Sequence, residues 1–437
     1  MSLRLVSSAR LDASISAHAV SGDGKLLAVA RENEISILDR ASPSQNWTPV
    51  ARVGPCQHSQ RVSGLAWSGS QLASCSHDSG AVVWTRTPQG AWSPNLVVTR
   101  LARAALCVRW APGGAALALG AVDGAVVVCH RDEERSLWAP RMLQRGDPQS
   151  AAAVQDLAWH PAGSCLASVA ADGSLRIHAT PCRVALPEME TGTSAATRAQ
   201  HHLAGAGAPT PPSTTLGAFG TLLYTATPSP GAWAMSVAWD PSGSCMAVAS
   251  SCGGGAPPRL TLIAGLLTGG GACTAEALRE AGTRAQTLDL RGPCLGLTSL
   301  LFLTEDVLVG AGFHGRPLVF RRGADGPWAQ DCDPGPQEDA GGAQQPAGSP
   351  TPARPATLAQ RIRMFEVDEN RSLNVQGRRV GAGGGKAAGV GPGRPSGPAR
   401  GPEHASHIGS LAGLAQGAFT SAGADGQLLL WQVTGVR

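Results

Sequence analysis

The sequence is poor in charge, and the little it has is nearly balanced: 15% Asp, Glu, Lys and Arg, for a formal net charge of +4 over 437 residues. That balance makes no case for nucleic acid or an anionic membrane surface, both of which call for a concentrated field of one sign. Long apolar runs are also missing, the longest being broken by Asp123 or by Glu305 and Asp306, so no membrane span is expected. The opening residues, MSLRLVSSAR, have no signal-peptide apolar region. The eleven cysteines are odd in number and never spaced as CxxC, which argues against a zinc site and a disulfide framework. Cys75, Cys129, Cys165 and Cys245 sit in apolar strand-like runs, where a reduced thiol acts as a small hydrophobe. A soluble protein of a reducing, intracellular compartment is expected. Catalytic signatures are absent as well, with no HExxH and no GxSxG. The segment GAGGGKAAG at 381–389 fails as a phosphate loop, because Val380 replaces its first glycine and Ala387 its Ser/Thr. No catalytic residue, cofactor or metal is therefore expected.

What is abundant is Gly (56) and Pro (32), beside 43% hydrophobic residues. This mixture suits many short strands and turns around a sizeable core. Self-similarity then fixes the architecture. LAWSGSQLASCSHDSGAVVW (65–84), VRWAPGGAALALGAVDGAVVVC (108–129) and LAWHPAGSCLASVAADGSLRIH (157–178) align with one another. Each holds an apolar strand ending in Trp67, Trp110 or Trp159, a Gly- or Pro-bearing turn, a second apolar strand, an Asp and a third strand. Asp78, Asp123 and Asp172 lie six residues before Trp84, Cys129 and His178, and Asp425 to Trp431 repeats the interval. Glu32 to Leu38 and His314 to Phe320 are weaker copies. Trp-x-Pro-x-Gly at Trp110–Gly114, Trp159–Gly163 and Trp239–Gly243 marks a tight hairpin between the first two strands. A second series, Trp47, Trp92, Trp138 and Trp328, opens the fourth strand.

Seven such units centre near 18–40, 58–95, 100–140, 150–185, 230–268, 295–330 and 407–434. A four-stranded unit cannot bury both faces alone, so the units stack into an all-β, seven-bladed propeller that takes up the chain as one domain. Leu3–Val6 is expected to give the last blade its outer strand and close the ring. The recurring aspartates, one per blade, are read as turn-pinning residues and the strand-end tryptophans as core.

LASCSHDSGAVVW resembles the WD-repeat consensus. In that family a His, Ser, Asp and Trp network pins each blade. The resemblance implies His58, Ser74, Asp78 and Trp84 for the second blade, and His407, Ser421, Asp425 and Trp431 for the last. No third strand closes on the Trp-Asp dipeptide, and most blades keep only the Asp, so the network is partial. More narrowly, GAWSP (90–94), RAALCVRW (103–110), DLAWHP (156–161) and VLVGAG (307–312) resemble the WD-repeat subunits of the actin-related protein 2/3 complex. That likeness implies a non-catalytic, cytoplasmic and cytoskeletal protein. Its implied partners are the other subunits, the actin filament and nucleation-promoting activators, with neither nucleic acid nor membrane. The alternative is a WD-repeat scaffold of another assembly, such as a ubiquitin-ligase adaptor. That class usually carries a recruitment helix outside the propeller, whereas this N-terminus enters the first blade almost at once. A propeller enzyme would need clustered His or carboxylates on the innermost strands, which read mostly as Val, Leu, Ala and Cys.

Gly/Ala/Pro-rich insertions fall at 190–215, 250–285 and 332–403. Within the last, flanked by linkers that lack apolar periodicity, 358–370 reads as a helix. Thr357 and Gln360 give a capping box, and Leu358, Ile362 and Phe365 form one apolar stripe. The segment 359–366 (AQRIRMFE) resembles the short projecting helix that the subunit family carries between its last two blades. A helix of about 13 residues is marginal alone in water and needs a surface to cover its stripe. Either it packs on its own propeller, or Arg361, Ile362, Arg363, Met364 and Phe365 meet a groove on actin or an actin-related protein. Arg371–Arg400, with six basic residues and no acidic one, is read as a solvated linker or as a contact for acidic actin surfaces.

Overall fold

The computed structural model describes residues 3–11, 13–40, 47–54, 57–132, 134–135, 137–144, 152–180, 218–251, 257–266, 275–290, 296–323, 326–331 and 404–435. These residues build seven four-stranded antiparallel blades. Blade 1 holds β2 (Ala17–Val20), β3 (Leu26–Arg31), β4 (Glu34–Asp39) and β5 (Thr48–Val53). Blade 2 holds β6 (Val62–Ser68), β7 (Gln71–Ser76), β8 (Ala81–Arg86) and β9 (Trp92–Val97). Blade 3 holds β10 (Ala105–Trp110), β11 (Ala116–Ala121), β12 (Val126–Asp132) and β13 (Leu137–Gln144). Blade 4 holds β14 (Val154–Trp159), β15 (Cys165–Ala170), β16 (Leu175–Ala179) and β17 (Leu222–Ala226). Blade 5 holds β18 (Trp233–Trp239), β19 (Cys245–Ser251), β20 (Arg259–Ala264) and β21 (Gln286–Asp289). Blade 6 holds β22 (Leu297–Thr304), β23 (Val307–Gly312), β24 (Leu318–Arg322) and β25 (Trp328–Gln330). Blade 7 holds β26 (Ile408–Gly413), β27 (Ala418–Gly423) and β28 (Gln427–Val433).

The fourth strand of blade 7 is β1 (Leu3–Arg10), which pairs antiparallel with β28 from Leu3↔Val433 to Arg10↔Gln427. The N-terminal strand thus closes the ring, and it runs beyond the expected Leu3–Val6. The first strand of every blade lies innermost and packs on the first strand of the next, with β26 returning to β2. Blades 2 and 3 are further linked where Trp138 pairs in parallel with Val97, so that their strands form one eight-stranded sheet.

Strand sequences follow from position in the blade. The second strands β11 (ALALGA), β15 (CLASVA) and β23 (VLVGAG) are buried at every residue. Neighbouring blades cover both of their faces, so small apolar residues run on without a polar alternation. At Gly120 even a methyl is too much, since a Cβ would meet Val154 Cγ1 of the next blade at 2.6 Å. Outer strands such as β5 and β1 are largely exposed and carry the polar residues. The hydrophobic core is accordingly divided into seven wedges, one per seam between blades. Among the described residues, the seam between blades 4 and 5 buries sixteen hydrophobic residues and that between blades 7 and 1 buries six.

Blade 5 is complete, with four paired strands. Its last two strands are separated by α1 (Ala275–Thr283), which buries Ala277, Leu278 and Ala281 and packs on β17 and β20. The sequence reading had this stretch only as insertion. The helix expected at 358–370 lies outside the described residues. Among those described, no helix is long and apolar enough to cross a membrane.

Candidate functional site

The pins of the blades come first, because they set the loops that a partner can meet. In blade 2, His58 Nε2 and Ser74 Oγ share a hydrogen bond of 2.7 Å, and Trp84 Nε1 donates to the same oxygen at 2.9 Å. Asp78 completes the set, accepting the Ser59 amide at 2.8 Å and the Gly80 amide at 2.8 Å, with His58 Nδ1 at 3.5 Å. Burial pushes the Asp78 carboxyl up, but these amides and His58 outweigh it and hold it below the usual carboxylate range. The structure therefore brings His58, Ser74, Asp78 and Trp84 together.

Blade 7 repeats the arrangement with one correction. The histidine is His404, not His407. His404 Nε2 meets Ser421 Oγ at 2.8 Å, its Nδ1 meets Asp425 Oδ1 at 3.1 Å, and Trp431 Nε1 donates to Ser421 Oγ at 2.8 Å. His407 instead stacks at 5.5 Å on Phe313 of the neighbouring blade. Both histidines precede β26 in one loop, and the loop path decides which of them reaches Ser421. Asp123 and Asp172 lack such a set. Asp123 accepts the Ala125 amide at 3.3 Å, and Asp172 accepts the Ser174 amide at 2.9 Å and pairs with Arg176 at 3.7 Å. In those blades the carboxylate holds its own turn, and Asp172 also pairs with Arg176 of β16.

The strand-end tryptophans do more than fill core. Trp67 Nε1 donates to Ala19 O, Trp110 to Ala66 O, Trp159 to Arg109 O and Trp239 to Ala158 O, at 3.0–3.2 Å. Each indole thus staples its blade to the innermost strand of the blade before. The partner carbonyls stand at equivalent positions, so the repeat seen in the sequence is also a repeat of seams.

The axial cavity, about 530 Å³, is lined by innermost strands. Sequence reasoning read these strands as mostly Val, Leu, Ala and Cys and missed a chain of polar groups. Asp156 of blade 4 accepts Arg109 Nη2 of blade 3 at 2.6 Å, the Ser236 hydroxyl of blade 5 at 2.7 Å, and the amides of Leu157 and Val237 at 2.9 and 3.3 Å. Ser236 Oγ in turn accepts the Leu300 amide of blade 6 at 3.1 Å. Thr298 donates to Ile408 O at 2.7 Å, and Ser299 Oγ accepts the Leu411 amide at 3.2 Å, tying blade 6 to blade 7. His18 of blade 1 joins Ser410 and Thr420 of blade 7, and its burial depresses its pKa to about 4.

Asp156 receives four hydrogen bonds, two on each carboxylate oxygen. The Asp156 carboxylate raises the Arg109 guanidinium above its ordinary range. Burial, and then Asp156, push the Cys107 thiol up, so it is a poor nucleophile. Among the described residues no group of three or more His, Cys, Asp or Glu could hold a metal ion. Arg361, Ile362, Arg363, Met364 and Phe365, the expected partner-binding residues, lie outside the described residues.

Comparison with known proteins agrees with the repeat. The family model for the anaphase-promoting complex subunit 4 WD40 domain matches residues 108–194. Actin-related protein 2/3 complex subunit 1A of Arabidopsis thaliana is 27% identical over 326 residues, covering 73% of either chain. Subunit 1 of the same complex in Saccharomyces cerevisiae is 30% identical over 166 residues, 38% of this chain and 42% of the yeast protein. Subunit 1A-A of Xenopus laevis is 23% identical over 308 residues, 70% of this chain and 71% of the frog protein.

Proposed function

We propose that this chain is the WD-repeat subunit of an actin-related protein 2/3 complex, where it holds other subunits and supports actin nucleation and branched-filament assembly. The observation that carries this reading is the extent of the likeness: 326 aligned residues across a ring whose seven blades are all present. Its partners are the other subunits of the complex, the actin filament and, at positions still to be mapped, nucleation-promoting activators. Its place is the cytoplasm and the actin cytoskeleton. The role is non-catalytic, because the polar groups around the axis are spent on one another and nucleotide chemistry falls to the actin-related subunits. Within the insertion, Arg361, Ile362, Arg363, Met364 and Phe365 are the contact to actin or an actin-related protein. Alanine at Ile362 and Phe365 is expected to impair branched-filament assembly; unchanged nucleation and filament binding would remove that role.

The test of the whole reading is purification of the tagged full chain from its own cells. Two actin-related proteins with several small subunits are expected to co-purify. A second reading, a scaffold in a ubiquitin ligase, is favoured only by the match of residues 108–194 to a WD40 domain of the anaphase-promoting complex. Recovery of a cullin scaffold in place of actin-related chains would establish it and overturn the first.

A further inference from the structure

The seams of the ring are closed at the rim by this chain's own residues in several different ways. Ala51 and Val53 of β5 pack, with Trp67 and Trp92, against the wedge between blades 1 and 2. The Trp138–Val97 bridge joins blades 2 and 3. Between blades 3 and 4, Phe219 lies under the Arg141 guanidinium at 3.9 Å and edge-on to His130 at 5.8 Å. Between blades 4 and 5 sits α1, and between 5 and 6 Gln286 and Trp328 exchange two hydrogen bonds of 2.7 Å. Leu3 and Leu5 pack, with Leu301 and Leu303, against the wedge between blades 6 and 7.

At the seam between blades 7 and 1, Leu11, Val20 and Trp47 pack against the wedge, and the Arg40 guanidinium lies 4.4 Å from the Trp47 ring. Beside this six-residue wedge lie two open cavities of about 470 and 200 Å³, which share Leu430. Both run along β1: Val6 lines the larger, and Ser7, Ser8 and Ala9 line the smaller opposite Trp47. The register of β1 shifts between Leu5 and Ser7, so Val6 has no partner in β28 and is 54% exposed. Among the described residues β1 is paired on one side only. A paired strand with a free edge offers backbone donors and acceptors to a further strand.

The chemistry of the wide end is asymmetric. Lys25 and Arg40 line it, and Arg4 stands on β1 opposite Gln432, which also lines it. Asp23 is the one carboxylate among the described lining residues, and it is already engaged by the Ser21 hydroxyl at 2.6 Å and the Lys25 amide at 3.1 Å. Leu414 and Leu430 supply an apolar wall.

We propose that the cleft between blades 7 and 1 docks one extended segment of a partner protein, which adds to the free edge of β1 as a fifth strand of blade 7. Its apolar side chains, at alternate positions, enter between Leu414, Leu430 and Trp47, and a carboxylate faces Lys25 and Arg4. At about 3.4 Å per residue, the stretch of β1 from Arg4 to Ala9 accommodates a segment of roughly six residues. The inference stands on the seam geometry and does not depend on which assembly the protein joins.

The test uses the purified full chain and a pool of labelled seven-residue peptides with Glu at the ends and Val, Leu, Ile or Phe at alternate positions. Saturable binding by fluorescence anisotropy is expected, with slowed amide exchange along β1. Val6→Lys, at an exposed and unpaired site, is expected to leave the melting temperature unchanged and weaken binding at least tenfold. Lys25→Glu should do the same to acidic peptides and not to their lysine-ended counterparts. N-methylation of alternate peptide nitrogens should abolish binding. No binding by any member, or binding indifferent to Val6→Lys or to N-methylation, overturns the proposal. Concentration-dependent dimerisation relieved by Val6→Lys would overturn it too, by giving the cleft to a second copy of this chain.

Discussion

Replacing Ser74 by Ala removes the single hydroxyl that His58 and Trp84 both use. The site is sealed, with Ser74, His58 and Trp84 at 0, 1 and 2% exposure, so water cannot replace the lost oxygen. The Trp84 indole N–H would lose its 2.9 Å acceptor, and His58 Nε2 its 2.7 Å partner. A polar group left unpaired in such a place costs about 1–3 kcal/mol, so the two together cost ~2–6 kcal/mol. The orientation of His58 against Asp78 also loosens, so the three side chains should behave as one unit. Urea unfolding, followed by tryptophan fluorescence, measures the change through the midpoint at constant slope. In a cycle with His58→Ala, Ser74→Ala should cost at least ~1 kcal/mol less than it does alone. Ser93→Ala, on the exposed outer strand, serves as the control and should change nothing. A Ser74→Ala midpoint equal to wild type, or strict additivity with His58→Ala, would refute the argument for a coupled pin. Ser421→Ala should reproduce the effect in blade 7, where His404 and Trp431 share the hydroxyl in the same way.

The seam histidine gives a pH test. His18 titrates at about 4 when folded against 6.5 when free, so the unfolded chain binds its proton first as pH falls. Its contribution is therefore complete above pH 6.5 and is lost as pH falls toward 4, on the order of 3 kcal/mol in all at ~1.4 kcal/mol per unit. His18→Gln should flatten that part of the stability profile, and an unchanged slope between pH 6.5 and 4.5 would refute it. Asp78 and Asp425, with depressed carboxyls, act in a lower window; their contribution holds above the ordinary carboxylate range and fades only below it. Gly243 and Gly69 form a matched pair. Both have positive φ, 75° and 52°, but a Cβ at Gly243 would overlap His160 and one at Gly69 would meet nothing within 4 Å. Gly69→Ala should cost about 1–2 kcal/mol for the backbone alone, Gly243→Ala at least twice that in the same urea assay, and equal costs would contradict the packing. Deleting residues 3–10 should expose β28 as a free edge and uncover the wedge around Phe419 and Trp431. Size-exclusion chromatography is expected to show aggregated material; a monomeric, cooperatively melting ring would mean that β1 is dispensable.

Much of the fold was legible because a blade is local chemistry. Trp-x-Pro-x-Gly and Asp followed by Gly or Ser write their turns in adjacent residues, with Gly114, Gly163 and Gly243 all at positive φ. Strands buried on both faces read as unbroken apolar runs, so the units could be counted, and an apolar N-terminal stretch was left over for the open edge of the last. Ser74 and Trp84 are ten residues apart on paired strands, within reach of a repeat argument.

Where an interaction crosses a seam, spacing carries no such information. Arg109 meets Asp156 across 47 positions, Asp156 meets Ser236 across 80, and His18 meets Ser410 across 392. Each sits in a mostly apolar strand, and only the stacking of the blades shows what it faces. The choice of His404 over His407 and the packing of α1 on β17 belong to the same class, as does the open cleft beside β1. The sequence by itself determined the blade, its turns and the number of copies, because those depend on hydrogen bonds and burial among near neighbours. The tertiary structure alone decided which polar groups are satisfied and which seam stays open, because those depend on where a closed circle of seven brings distant strands together.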